Sequence, residues 1–422
     1  MGKLRIAVFF IIITSSFYGQ LVAQTLSNYS ALGIGDLYLP AEAHHQGMGG
    51  VGISNSNVFF QGSMNPALLP DNGVYSFAAG FSAVNKTIFQ NDDREKASGG
   101  TLNYLNMILP IIQGKIAMSI GLMPYSNVNY NFRTEVAVDG NPDASLLLFN
   151  KGTGGFNQFA FSTGVKLTRG LYLGGKVSYI FSSINRERNN YLSEPIATYV
   201  PTTVTKVSAN DFIFGIGLDY KYYISENLSL SIGGIFDFAR DLSVIRDQTL
   251  QINTTGNIPI RVDTLYENER GYLHLPESYG LGFSISKLNR WTFGTDLRFQ
   301  RWGDFKDFDG NNENLRDVRL IRVGAEITPD ATSVDNYFSR ITYRFGLNID
   351  QLPYFLQDTQ INEFGINFGM SLPVSNFSSV DLGFRYGSRG TINNNLIRED
   401  YFRIYFGITF NDNRWFVRPK FN

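Results

Sequence analysis

The chain contains no cysteine. That excludes a disulfide framework, a cysteine-built zinc site and a thiol nucleophile. It also excludes a lipid-modified N-terminal cysteine. Histidine is almost as scarce, at three residues. His44 and His45 are neighbours, and regular structure does not aim adjacent rings at one metal; His274 stands alone near the start of a strand. All three read as polar filler, so neither a metal site nor a catalytic role is expected. Charge of one sign is also missing: the net charge is -1, which gives no argument for nucleic acid. Beyond the N-terminus no apolar run approaches the roughly eighteen residues of a helical membrane span. No G-x-S-x-G elbow is present, and an enzyme is not expected.

Two phosphate-loop look-alikes fail on context. Gly47-x-Gly49-x-x-Gly52 has dinucleotide spacing, but no strand precedes it and no βαβ unit follows. Gly170 to Lys176 has Walker spacing, yet Val177 replaces the residue that would hold magnesium. No cofactor is expected. Asp304, Asp307, Asp309 and Glu313 cluster around Gly310. Register on that glycine puts Phe305 and Arg316 at the first and twelfth EF-hand positions, so an EF-hand is excluded and the cluster reads as a solvated acidic loop, with a looser calcium site as the alternative.

What is abundant is aromatic and small: Phe 35, Tyr 23 and Gly 42 against Pro 14. The pattern of the apolar residues matters more than their number. From Tyr401 the chain alternates, with Phe402, Ile404, Phe406, Ile408 and Phe410 on one face and Tyr401, Arg403, Tyr405, Gly407 and Thr409 on the other. Phe212 to Tyr222 and Ile341 to Ile349 repeat the pattern. A wholly apolar face recurring along the chain predicts an all-β fold, a transmembrane antiparallel β-barrel of about fourteen strands. A charge facing lipid at mid-membrane costs about 2–4 kcal/mol, so Asp219, Asp296, Arg344, Asp350, Asp381, Arg385 and Arg403 are expected to face the lumen. Arg344, Arg385 and Arg403 are expected to pair there with Asp350, Asp381 and Asp296.

Lys3 and Arg5, the apolar run Ile6 to Ile13 and Leu21-Val22-Ala23 form a secretory signal over residues 1–23. Export without a helical anchor, together with lipid-patterned strands, points to the cell outer membrane. Residues 24–72 do not alternate and are rich in Gly, Ser and Asn; they are expected to form a plug in the lumen. Asn65-Pro66 should form a turn in which the Asn side chain bonds nearby backbone. The barrel is expected over 73–410, followed by a periplasmic tail over 411–422. Short turns on one side and long polar loops on the other (85–100, 125–155, 182–210, 239–271, 303–318 and 388–400) fit outer-membrane asymmetry. The connection 329–339 is longer than its side predicts.

At the plug the chain resembles the long-chain fatty acid transporter family, FadL/OmpP1/TodX. The residues are Gly47, Gly49 and Gly50, then Ser54-Asn55, then Asn65-Pro66-Ala67-Leu68. Further matches follow in order at Gly121 to Ser126, Leu275 to Gly280, Trp291, Asp296 and Trp302, and Arg344-Phe345-Gly346 with Pro353. The resemblance implies a fourteen-stranded barrel with an N-terminal hatch, and uptake of hydrophobic compounds such as long-chain fatty acids. Ligand would be captured among extracellular loops and released sideways into the membrane beside a kinked third strand. Pro124 would end that strand, with Met123 and Tyr125 beside the gap and Phe59, Phe60 and Met64 below it. The implied partners are outer-membrane lipid and a hydrophobic small molecule. The 239–271 loop departs from this, since its charges make a poor apolar capture surface. The alternative is a FadL-like accessory subunit of a larger outer-membrane assembly or secretion complex, with other outer-membrane proteins as partners.

Overall fold

The computed structural model describes residues 26–57, 60–138, 141–192, 199–254, 258–374 and 378–412. The expected signal peptide, Phe59 and all of the expected tail beyond Asp412 lie outside them. The strands are β1 (Asp36–Leu37), β2 (Tyr75–Gln90), β3 (Asp93–Ile112), β4 (Ile116–Val138), β5 (Asn141–Lys166), β6 (Leu171–Leu192), β7 (Tyr199–Tyr223), β8 (Leu228–Asp237) and β9 (Arg240–Thr254). They continue as β10 (Pro259–Leu275), β11 (Ser278–Lys287), β12 (Trp291–Gln300), β13 (Val318–Ile327), β14 (Thr342–Leu356), β15 (Thr359–Pro373), β16 (Ser379–Gly390) and β17 (Arg398–Asp412). Two short helices, α1 (Ala43–Gly47) and α2 (Tyr337–Arg340), complete the set; α2 fills the long 329–339 connection.

Every wall pairing is antiparallel, and β17 pairs with β2 from Arg398↔Phe89 to Asp412↔Tyr75, which closes the sheet. β8 and β9 are one wall strand broken at residues 238–239, because β7 pairs with β8 through Gly215–Tyr223 and with β9 through Tyr199–Ala209. β10 and β11 are likewise one strand, broken at Pro276 and Glu277. The wall is therefore a closed barrel of 14 strands, with β1 inside it. Closure leaves no free edge around most of the circumference, and that lets a sheet stand in lipid. The outward faces carry the apolar belt: Phe77 and Phe81 on β2, Phe212 to Tyr222 on β7, Phe402, Ile404, Ile408 and Phe410 on β17.

The expected long loops are mostly strand. β2–β3, β4–β5, β6–β7 and β9–β10 run past the belt as paired hairpins, so 85–100, 125–155, 182–210 and 239–271 are corrected from loop to ladder. Past the belt neither face meets lipid, so both faces can be polar and the apolar alternation that marks the wall strands is lost. Asn91 at the β2–β3 turn has a φ of 51°, the left-handed backbone a two-residue hairpin needs. Ile341, expected on the lipid face, is buried and ends α2, one residue before β14 begins.

Residues 26–57 and 60–72 pack against inward-facing residues of the wall. They form a short turn at Asn28–Ala31, then β1, α1 and a second turn at Pro66–Asp71. Their fit rests on glycines at inward positions. A Cβ on Gly346 of β14 would collide with Met48 and Gly49, and one on Gly217 of β7 would collide with Asn65 and Pro66. At Gly346 backbone meets backbone, and at Gly217 the Asn65 side chain and the Pro66 ring reach the wall backbone; only a residue without a side chain allows either approach.

Candidate functional site: a seam in the wall, its inner cover and the chambers behind it

Each wall strand should pair along its whole membrane-crossing length, yet β3 and β4 do not. Their ladder runs from Ile112↔Ile116 to Leu105↔Leu122 and stops. Beyond it β3 continues along β2, from Tyr104↔Gly80 to Asp93↔Gln90, while β4 continues along β5 to Val138. Tyr104 to Gly99 face β2 residues 80–84, which lie at belt height, so the two strands separate within the membrane layer. Proline explains the position. Pro124 stands two residues past the last pair and has no N–H to extend the ladder. The expectation that Pro124 ends its strand is corrected: β4 passes through it, paired to Asn157, with a register shift between Pro124 and Ser126. What ends there is the pairing with β3.

The freed edge of β4 is covered from inside. β1 pairs with it through Asp36↔Asn127 and Leu37↔Ser126. The Tyr38 N–H donates to Tyr125 O at 3.0 Å and the Ser27 N–H to Asn129 O at 2.8 Å. The Ser126 hydroxyl donates to Ile34 O at 2.6 Å, and Ser30 Oγ accepts the Asn129 N–H at 3.0 Å. The N-terminal segment therefore satisfies the backbone groups that β3 abandons.

Behind this cover is a cavity of about 140 Å³ whose wall is ionic. Arg389 bonds Asp36 at 3.0 Å and Glu363 at 2.8 Å. Lys86 meets Glu399 at 2.9 Å, Arg322 meets Asp350 at 3.4 Å, and the Tyr401 hydroxyl donates to Glu363 at 2.5 Å. On the side of the long hairpins a larger cavity, about 570 Å³, has a floor that includes Ile34, Phe156, Ile184 and Phe305 and a rim of Arg186, Arg246, Asp309 and Glu313. Arg246 bonds Glu269 at 2.7 Å and Asp309 at 2.8 Å, and its guanidinium lies 4.2 Å from the Phe308 ring centre. Glu313 is half-buried, and this desolvation raises its pKa despite Arg186 and the Gly33 N–H beside it. The acidic loop's carboxylates are thus engaged with arginine and backbone: Asp309 with Arg246, and Glu313 with Arg186 and Gly33.

The residues expected along a substrate path fall into two groups. Phe60 lies between His44, 5.2 Å between ring centres, and the Arg344 guanidinium at 4.7 Å, and Met64 is buried. Met123 packs instead with Tyr104 and Ala78, while Pro124 and Tyr125 line the edge of β4. The plug glycines each meet wall: Gly47 at Gly369, Gly49 at Leu347 and Gly50 at Arg322. Asn65 accepts the Ala67 N–H at 3.0 Å and donates to Ile53 O at 2.8 Å and Leu218 O at 3.2 Å, which fixes the turn through Pro66 to β7.

Of the inward charges, Asp219 is held by the Ser231 hydroxyl at 2.7 Å. Asp296 Oδ2 accepts the N–H groups of Gly52 at 2.7 Å and Ile53 at 2.9 Å. The expected pairs are corrected. Arg344 bonds Glu326 at 2.9 Å, since Glu326↔Arg344 is the register of β13 and β14. Asp350 takes Arg322 in its place; Asp381 is held by Ser371, Ser379 and Thr409; Arg385 bonds Asn367 at 2.6 Å and Gln46 at 3.0 Å. The Arg403 guanidinium lies 5.7 Å from the Tyr401 ring centre. Sequence reasoning passed over Lys86, Arg322, Glu363, Arg389 and Glu399; strand alternation alone could have placed their side chains in the lumen.

The BamG family model matches residues 1–422. The chain belongs to the BamG family. No curated protein matches it. Its barrel is similar to solved FadL-type structures. A Pseudomonas putida toluene transporter, TodX, is 18% identical with a TM-score of 0.58, covering 90% of this chain and 100% of that one. The CymD monoaromatic hydrocarbon channel is 16% identical with a TM-score of 0.57, covering 89% and 99%. A Pseudomonas aeruginosa FadL homologue is 12% identical with a TM-score of 0.56, covering 87% and 97%. At these identities the likeness shows the fold. This BamG-family chain is an outer-membrane β-barrel of FadL type.

Proposed function

We propose that this chain is a plugged, non-conducting barrel that serves as an accessory subunit of a larger outer-membrane protein assembly or secretion complex. In this reading residues 24–72 are the plug, 73–410 the barrel and 411–422 a periplasmic tail. The charged chamber behind the seam carries the reading. A hydrophobic molecule crossing it would be placed against Lys86, Arg389, Glu363 and Asp36, groups whose hydrogen bonds it cannot replace. The seam itself is shut by hydrogen bonds from the N-terminal segment. Beyond the belt, β9–β10 exposes Ile258, Ile260, Val262 and Leu265, apolar surface that lipid does not cover and a partner protein would.

Uptake of a hydrophobic compound is the second reading, favoured by the β3–β4 seam and by the apolar floor of the larger cavity. Toluene transporters and a monoaromatic hydrocarbon channel share the fold. In that reading a small aromatic or fatty-acid-like ligand would leave between Met123, Pro124 and Tyr125, past Phe60 and Met64. Deleting the gene separates the two. Disturbed assembly of other surface proteins with unchanged uptake of a hydrophobic probe supports the subunit. Lost uptake with normal surface assembly supports the channel.

A further inference from the structure

Glu42, His44 and His45 come together inside the lumen, against the expectation from their adjacency. Glu42 caps α1, which holds both histidines, and all three side chains are buried. One ligand-capable atom from each lies within 4.8 Å of the others. The two rings are 4.1 Å apart, centre to centre. His45 Nδ1 and Glu42 Oε2 are 2.9 Å apart, a hydrogen bond that an ion would replace by moving the two atoms apart by about half an ångström, to the spacing of two tetrahedral ligands with bonds of about 2.0–2.2 Å.

His44 is the second observation. It is 3% exposed, and neither ring nitrogen makes a hydrogen bond among the described residues. The Gln61 backbone carbonyl faces the ring without closing one. A buried imidazole with two idle nitrogens is costly, because the water lost from it is not replaced. A bound cation would replace it.

We propose that Glu42, His44 and His45 form a binding site for a divalent transition-metal ion of the zinc class inside the N-terminal segment. Two imidazoles and a carboxylate suit Zn2+, which has no geometric preference of its own and accepts an irregular three-residue set. Outer partners already aim the carboxylate: Glu42 Oε1 accepts the Ser63 N–H at 3.2 Å and Asn106 Nδ2 at 3.1 Å. The Ser63 hydroxyl, itself buried without a partner, or a water completes the shell. Arg344 is the cation that faces this cluster, stacked on Phe60 beside His44, and it is neutralised by Glu326 at 2.9 Å. Asp296 adds a carboxylate on the His45 side. The ion would tie α1 to Glu42 and, through Asn106, to β3.

The test uses the full chain, tag-free, in mild detergent after chelation, titrated with Zn2+ and counted by elemental analysis. Wild type should take up one equivalent, and Co2+ in its place should give the visible bands of a four-coordinate nitrogen and oxygen site. His44→Ala and Glu42→Gln should each weaken binding at least tenfold while keeping the heat-modifiable migration of a folded barrel. His274→Ala removes the third histidine, which lies outside the cluster and bonds Asp241 at 2.6 Å; it should bind as wild type does. No uptake by wild type, or equal uptake by wild type and the two folded cluster variants, overturns the proposal. If neither cluster variant folds, Glu42→Asp, which keeps the charge and shortens its reach, should fold and bind Zn2+ more weakly; unchanged binding there also overturns it.

Discussion

Leu105 and Leu122 are the last cross-strand partners of β3 and β4. Everything the chain could do at its wall depends on what happens one residue further on, where the two strands part and the N-terminal segment takes over the free edge of β4. If that cover is permanent, the barrel is a closed body. The chain has no cysteine of its own, so the cover can be locked without background. Leu37→Cys with Ser126→Cys joins registered partners of β1 and β4. The disulfide should form nearly completely in cells, with normal assembly and normal function. Poor crosslinking would mean that the segment leaves the seam.

Asn65 should be the most sensitive residue of the N-terminal turn. It holds Ala67, Ile53 and Leu218 at once. Asn65→Ala leaves buried backbone groups without partners, a cost on the order of 1–3 kcal/mol. Gly217→Ala attacks the same contact from the wall. Both should raise the susceptibility of residues 26–72 to protease while the barrel still migrates as folded. Unchanged protection would show that the turn is not what anchors the segment.

Acid should loosen the foot of the segment. Burial alone would raise the Asp71 pKa, but the Lys221 ammonium against it and hydrogen bonds from Lys221 and Ser56 overcome that and lower it. The unfolded carboxyl therefore binds its proton first as pH falls. The stabilisation is complete above the usual carboxylate value near 3.8 and is lost as pH drops through the lower folded value. Protease release of residues 26–72 should rise below about pH 4, and Asp71→Asn should show the released level already at neutral pH. A flat profile in wild type would contradict the latch.

Breaking one buried pair should cost more than removing a surface one. Arg344→Met strands Glu326 beside the lumen and leaves Asp381 without its neighbouring cation. The expected loss is about 3–5 kcal/mol, read as a lower urea midpoint for unfolding. The double change with Glu326→Gln should recover part of it. A single variant as stable as wild type would mean the pair is solvated.

The wall was legible because lipid imposes a rule on alternate residues. The apolar faces of β7 and β17 could be read off Phe212 to Tyr222 and Phe402 to Phe410, and so could the inward direction of Asp219, Arg344 and Arg403. Parity does not give register, however. Which carboxylate stands opposite Arg344 depends on how β13 is offset from β14, and Glu326 won over Asp350. Where the strands leave the membrane both faces turn polar, so the outer halves of β4, β5, β6 and β7 looked like loops. The meeting of His44 with His45 escaped notice because it depends on a five-residue helix, α1, in a segment with no periodic signal.

On the proposed reading this barrel is a closed subunit and not a passage. Native mass spectrometry of the chain after mild detergent extraction from its own membrane tests it most directly. A closed subunit should come out with stoichiometric outer-membrane protein partners and no tightly held hydrophobic small molecule. A monomeric barrel carrying a fatty acid or aromatic compound would contradict it.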